Sequence, residues 1–126
     1  MLYPEKNQAA LTTALSTLSA EHYVVVCYCA AWCRTCAGFE AAFAQLPSQY
    51  PQHSFVWVDI EEHEELLVDD DLEDFPTLLI QNNKGTVFYG PLPPFVEHVQ
   101  RALDYAATST TQTQLPLFAD LFRATT

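Results

Sequence analysis

The sequence predicts an α/β fold: a central four-stranded mixed sheet flanked by helices, with a short C-terminal extension. Three observations carry this prediction. Two apolar runs rich in β-branched and aromatic residues, 23–30 and 54–60, alternate with stretches whose apolar residues recur at helical spacing. Two shorter apolar runs, 77–81 and 86–89, flank Asn82-Asn83-Lys84-Gly85, which is strong turn chemistry, so they form an antiparallel hairpin. The resulting order, α-β-α-β-α-β-β-α, alternates strands and helices first and closes on a hairpin, the pattern of a mixed sheet covered on both faces.

The elements follow in order. Residues 7–20 place Leu11, Leu15 and Leu18 on one helical face. Residues 23–30 carry no charge and suit a buried central strand. Residues 33–49 read as a second helix with Phe39, Ala42, Phe43 and Leu46 inward, and Pro47 and Pro51 mark its frayed end. Residues 54–60 are the second strand. Residues 61–74 are an acidic short helix and loop anchored by Leu66, Leu67 and Leu72. After the hairpin, residues 93–106 form a closing helix with Phe95, Val96, Val99 and Leu103 inward and proline near its start. Residues 1–106 make one domain. Residues 107–126 are an appendage: a polar linker over 109–114, then an apolar tail whose Leu117, Phe118, Leu121 and Phe122 form a helical stripe. The tail is expected to dock on its own domain or to stay loosely ordered, with a dimer contact as the sharper alternative. The expected state is a monomer or weak dimer.

At 126 residues and 49% hydrophobic content, one compact core is attainable without staples. Sixteen acidic against five basic side chains give a net charge of -11. Such a surface is repelled by nucleic-acid phosphates and by anionic membranes, whereas basic or neutral proteins remain suitable partners. The longest apolar run, 23–32, is too short to cross a bilayer. The N-terminal residues lack a secretory pattern, so the expected compartment is cytoplasmic, where clustered cysteines serve chemistry more often than structure.

All four cysteines, Cys27, Cys29, Cys33 and Cys36, lie within ten residues. A disulfide framework gains most by closing long loops, so this clustering points to a local chemical site. Cys33-Arg34-Thr35-Cys36 falls where a buried strand passes into a helix. Unpaired N–H groups and the positive end of the helix dipole stabilise a thiolate there. Cys33, the exposed member, is therefore the expected nucleophile. Cys36, one turn further in, resolves the mixed disulfide that Cys33 forms. Arg34 either supports the thiolate or is a solvated charge. The motif lacks a second C-x-x-C or paired histidines to complete a zinc site, and His22, His53, His63 and His98 are scattered.

Ala30-Ala31-Trp32-Cys33-Arg34-Thr35-Cys36 resembles the active-site signature of the thioredoxin-like superfamily. Phe75-Pro76-Thr77-Leu78-Leu79-Ile80 resembles its cis-proline loop and following strand, and Gly85 and Gly90 fall where that family places glycines. The likeness covers residues 7 to 106. It implies a thioredoxin-like fold and a thiol–disulfide oxidoreductase that reduces protein disulfides through Cys33 and Cys36. Trp32, Phe75 and Pro76 then flank the substrate, with the Phe75 backbone available to pair with an extended chain. The resemblance implies no bound cofactor. Its partners are disulfide-containing proteins and, as electron source, a thioredoxin-reductase-like enzyme or a thiol pool.

The chain departs from the family in several places. Arg-Thr replaces the usual Gly-Pro between the cysteines. Cys27 occupies the place of a buried carboxylate that serves proton transfer to the second cysteine. A thiol is a poor substitute near neutral pH. Slower resolution is expected, or another base, for which Glu40, one turn beyond Cys36, is the candidate. Trp57 stands where a lysine partners that acid, and the family's first strand is missing. Cys27 and Cys29 share one face of their strand, with Cys29 expected further from the helix N-terminus. They are read as small buried hydrophobes. Two other functions stay open: a redox-inactive binding module using the acidic face and tail, and a four-cysteine metal or Fe–S carrier. Nine of the fourteen residues 61–74 are acidic, enough to make a solvated face or to select basic partners beside Phe75-Pro76.

Overall fold

A computed structural model describes residues 1–112 and 114–125. Thr113, within the expected linker, and Thr126, at the end of the expected tail, lie outside the described residues. The elements are α1 (Gln8–Ser16), β1 (Val24–Cys29), α2 (Arg34–Phe43), α3 (Leu46–Gln49), β2 (Ser54–Asp59), a 3-10 turn (Glu64–Leu66), β3 (Thr77–Gln81), β4 (Thr86–Pro91), α4 (Val96–Ala106) and α5 (Phe118–Thr125). The four strands form one sheet in the order β2-β1-β3-β4. β1 is parallel to β2 and antiparallel to β3, and β3 is antiparallel to β4. The central four-stranded mixed sheet flanked by helices is thus the architecture observed. Of a further N-terminal strand there is a single residue pair, Leu2 beside Val56.

All six residues of β1 are buried, and their alternation divides the core. Val25, Cys27 and Cys29 point to the layer holding Phe39, Phe43, Leu46, Val99 and Leu103 from α2, α3 and α4. Val24, Val26 and Tyr28 point to the other layer, with Leu11 and Leu15 of α1 and Phe118 and Phe122 of α5. Tyr28 spends its hydroxyl on the Leu66 carbonyl at 2.7 Å, which ties the acidic segment to this second layer.

Several boundaries differ from the periodicity, each for a local reason. α1 stops at Ser16 because Ser16, Thr17 and Ser19 turn their hydroxyls onto nearby backbone groups, an alternative to continuing the helix. The 33–49 helix is two helices. Pro47 has no N–H to give to the turn before it, and its ring opposes the preceding carbonyls, so the chain restarts with Pro47 in the first turn of α3. Only one 3-10 turn forms in the acidic segment. Its anchors are Leu66 and Val68, with Leu67 and Leu72 packed beside them. Phe95, expected inward, is 59% exposed. It is the extended N-cap of α4 rather than a helical residue, so the helical face does not include it.

The tail docks as part of the core. Gln81, 1% exposed at the end of β3, accepts the Phe118 N–H at 2.7 Å through its carbonyl oxygen. Its amide donates to the Pro116 carbonyl at 2.9 Å and the Thr86 hydroxyl at 3.0 Å. Upstream, Thr86 and Gln112 exchange two backbone hydrogen bonds, of 2.7 and 2.8 Å. This approach requires Gly85: its φ of 157° and the closeness of the Gln112 carbonyl leave no room for a Cβ. Phe118 and Phe122 are 0% and 2% exposed, so the stripe is consumed within its own chain.

If α5 is core rather than appendage, Phe118→Ala should cost about 3–5 kcal/mol in urea unfolding. A loss below about 1 kcal/mol would show that the tail packs without supporting the domain.

Candidate active site at the start of α2

β1 delivers the chain from the sheet to the surface over Ala30-Ala31-Trp32, and the helix begins at once. Cys33 is the N-cap of α2, with extended backbone angles, and its N–H donates to the Ala30 carbonyl at 3.0 Å. Cys33 is partly exposed, whereas Cys36, three residues on, is 2% exposed. All four cysteines are free thiols.

The two thiols of the motif are driven apart in acidity. Burial works against the Cys33 thiolate. Hydrogen bonding outweighs it: the Thr35 hydroxyl, 3.0 Å from Sγ, the Cys36 thiol, and the backbone N–H groups of Cys36 and Thr35 together hold Cys33 below the ordinary thiol range. Cys36 is pushed well above that range, first by burial and then by thiol contacts with Cys29 and Cys33. Cys33 is thus the more acidic thiol of the pair and Cys36 the one held protonated.

Trp32 is 64% exposed beside this pair, and its ring meets that of Phe75 edge-on at 5.6 Å. The Phe75–Pro76 peptide is cis. Phe75 stands just ahead of β3 and packs against the Cys33 layer, while Pro76 is buried and its carbonyl accepts the Leu92 N–H at 3.1 Å. Among the described residues, Phe75 takes no part in the backbone hydrogen bonding of the loop. Trp32, Cys33 and Phe75 therefore gather at one surface.

Arg34 is exposed and is not among the groups that hold the Cys33 sulfur. That work falls to Thr35, which the sequence reading passed over although its hydroxyl lies inside the motif. Glu40 lines a cleft of about 370 Å³ together with Cys29, Cys36, Trp57 and Asp59. Its carboxylate accepts the Tyr3 hydroxyl at 2.6 Å. Burial and that carboxylate push Tyr3 up to about 12.

Cys27 is fully buried, but it is not the thiol that reaches the motif. Cys29 lines one cleft with Cys36, and Cys27 follows behind, its Sγ 3.8 Å from that of Cys29. The expectation that Cys29 lies further from the helix is reversed. β1 runs toward α2, so the later residue on the shared face is the nearer one, a signal already present in the numbering. The four sulfurs form a row rather than a cluster. Among the described residues, Glu5, Glu62 and His63 are the one set of three or more potential metal ligands whose ligand atoms all lie within 4.8 Å of one another. The described residues also contain no helix long and apolar enough to cross a membrane.

A family model described as Thioredoxin matches residues 5–91. Over 70 residues the chain is 38% identical to thioredoxin H5 of Oryza sativa subsp. japonica, covering 54% of this chain and 52% of that protein, so it spans about half the length of this curated relative. Fasciola hepatica thioredoxin superposes with a TM-score of 0.62 at 16% identity, covering 81% of this chain and 92% of that one. A cysteine-to-serine mutant of Entamoeba histolytica thioredoxin gives 0.60 at 23% identity, with 77% and 91% covered. At these identities the structural likeness establishes the fold.

The hydrogen bond from Thr35 yields a direct test. Thr35→Val should shift the pH profile of Cys33 alkylation by iodoacetamide toward higher pH and slow alkylation at neutral pH about fivefold. An unmoved profile would show that the hydroxyl does not hold the thiolate.

Proposed function

Because the chain belongs to the thioredoxin family, we propose that it is a dithiol–disulfide exchanger that reduces protein disulfides through Cys33 and Cys36. The observation that carries this reading is the opposed acidity of the two neighbouring thiols, Cys33 held low at the helix N-cap and Cys36 held high beneath it.

The Cys33 thiolate attacks one sulfur of a substrate disulfide. The other substrate sulfur leaves as a thiolate and takes up a proton, and a mixed disulfide remains on Cys33. Cys36 then loses its proton and attacks the Cys33 sulfur. This forms the Cys33–Cys36 disulfide and releases the second substrate thiolate. Cys33 suits both steps, because a stabilised thiolate is a good leaving group when the enzyme is later reduced. Trp32 and Phe75 supply an aromatic floor for the substrate, whose extended backbone pairs with Phe75. The proton of Cys36 leaves through the cleft it shares with Glu40 and Asp59, in place of the carboxylate that Cys27 replaces. The exposed acids of residues 61–74 favour substrates with basic residues near the disulfide. No bound cofactor enters the cycle. Electrons come from a thioredoxin-reductase-like enzyme or a thiol pool, which fits a reducing compartment such as the cytoplasm.

Cys33→Ser should abolish turnover of a disulfide substrate, and Cys36→Ser should accumulate mixed disulfides on a non-reducing gel. Full dithiol activity in Cys36→Ser would overturn the assigned roles. Equilibration with glutathione should give a potential near that of thioredoxin, about -270 mV; a value near -120 mV would instead mark an oxidant.

A further inference from the structure

The exchange cycle leaves Cys29 unused, yet it lies beside the exchanging pair. It ends β1 at 2% exposure, its sulfur 3.8 Å from that of Cys27, and it shares one core cluster and one cleft with Cys36. The cleft of about 370 Å³ reaches both Cys29 and Cys36, and its lining includes none of Trp32, Cys33, Phe75 or Pro76. The inner pair therefore has an opening separate from the substrate surface.

We propose that Cys29 is a third exchanging thiol: in the oxidised protein it displaces Cys33 from Cys36, converting the Cys33–Cys36 disulfide into an inner Cys29–Cys36 disulfide and returning Cys33 as a free thiolate. The inference rests on the reading of Cys33 and Cys36 as an exchanging pair. Cys29 gives its proton to water in the cleft, and its sulfur attacks the Cys36 sulfur. The Cys29–Cys36 bond forms as the Cys33–Cys36 bond breaks, and the electron pair departs on Cys33. No further oxidant is consumed, because the oxidation first taken from the substrate disulfide moves one sulfur inward.

The direction follows from where charge is best held. Exchange places the thiolate on the sulfur that stabilises it and the disulfide on the sulfurs that do not. Cys33 is stabilised by Thr35, Cys36 and two backbone N–H groups. Cys29 is pushed far above the ordinary thiol range, first by its contact with Cys27 and then by burial. The same weakened acidity keeps its thiolate scarce, so the step is slow beside turnover. Its product carries one reactive thiol whose resolving partner is locked away. Such a form would hold a partner as a mixed disulfide instead of releasing it.

The test is to incubate the reduced protein with excess oxidised glutathione at about pH 8, quench with acid and block free thiols with N-ethylmaleimide in denaturant. Trypsin and chymotrypsin, cutting after Arg34, Tyr28 and Trp32, then place the four cysteines on separate peptides for mass analysis. A Cys29–Cys36 linked peptide should account for at least about a tenth of the protein, with Cys33 blocked or glutathionylated. In Cys29→Ala that peptide should be absent, Cys33–Cys36 should persist, and labelling of Cys33 in the oxidised protein should fall by the same share. Cys33–Cys36 as the only link in the wild type overturns the inference and leaves the exchanging pair standing. A link between Cys29 and Cys27 also overturns it. The absence of any link overturns both readings together. Unchanged Cys33 labelling in Cys29→Ala overturns the inner exchange as its source.

Discussion

The site depends on the way β1 ends. This strand is paired on both sides and buried at every position, so it is held firmly within the sheet. Its last residue is followed within a few positions by a helix whose first unpaired N–H groups face Cys33. Rigid delivery from the sheet, followed at once by a helix N-terminus, fixes a sulfur against donors that a mobile loop would not hold in place. The same abrupt passage sets the second sulfur one turn deeper, so a single geometric fact gives the two thiols opposite acidities.

Much of this was legible in the sequence because the signals are local. The four strands, the hairpin at Asn82–Gly85 and the placement of Cys33-Arg34-Thr35-Cys36 at a strand-to-helix junction need only period, turn chemistry and composition. What escaped depends on three-dimensional neighbours. Gln81 reads as the polar end of a strand, and nothing nearby in sequence says that its amide would clasp Pro116 and Phe118. Residues 107–126 therefore read as an appendage, whereas Phe118, Ala119 and Phe122 belong to a core layer. Thr35 carries no charge that would mark it in the sequence, yet its hydroxyl lies 3.0 Å from the Cys33 sulfur, whereas Arg34 is exposed. The order of Cys27 and Cys29 relative to the helix follows from strand direction alone.

Positions 27 and 57, where the family resemblance implies a buried carboxylate and a lysine partner, leave no unpaired buried charge in this chain. Trp57 packs with Phe39 and Phe43 at 6.4 and 5.9 Å between ring centres, and Cys27 sits in the same apolar layer. The interior beside Cys36 is therefore apolar, and the carboxylates nearest to it, Glu40 and Asp59, border a cleft that Cys36 also lines. In the proposed cycle, proton transfer through that cleft and substrate contact at Trp32 and Phe75 would use different openings.

The Gln81 clasp also bears on how the chain assembles. It joins the last helix to a layer whose other helical wall, α1, lies at the opposite end of the chain. The clasp closes a loop of 35 to 37 residues, so α5 docks after the entropy of that closure has been met. Until α5 arrives, Leu11, Leu15, Val24 and Val26 lack the cover of Phe118 and Phe122 on one face of the sheet. A chain held in that state is exposed to sticking and to proteolysis until α5 reaches the sheet.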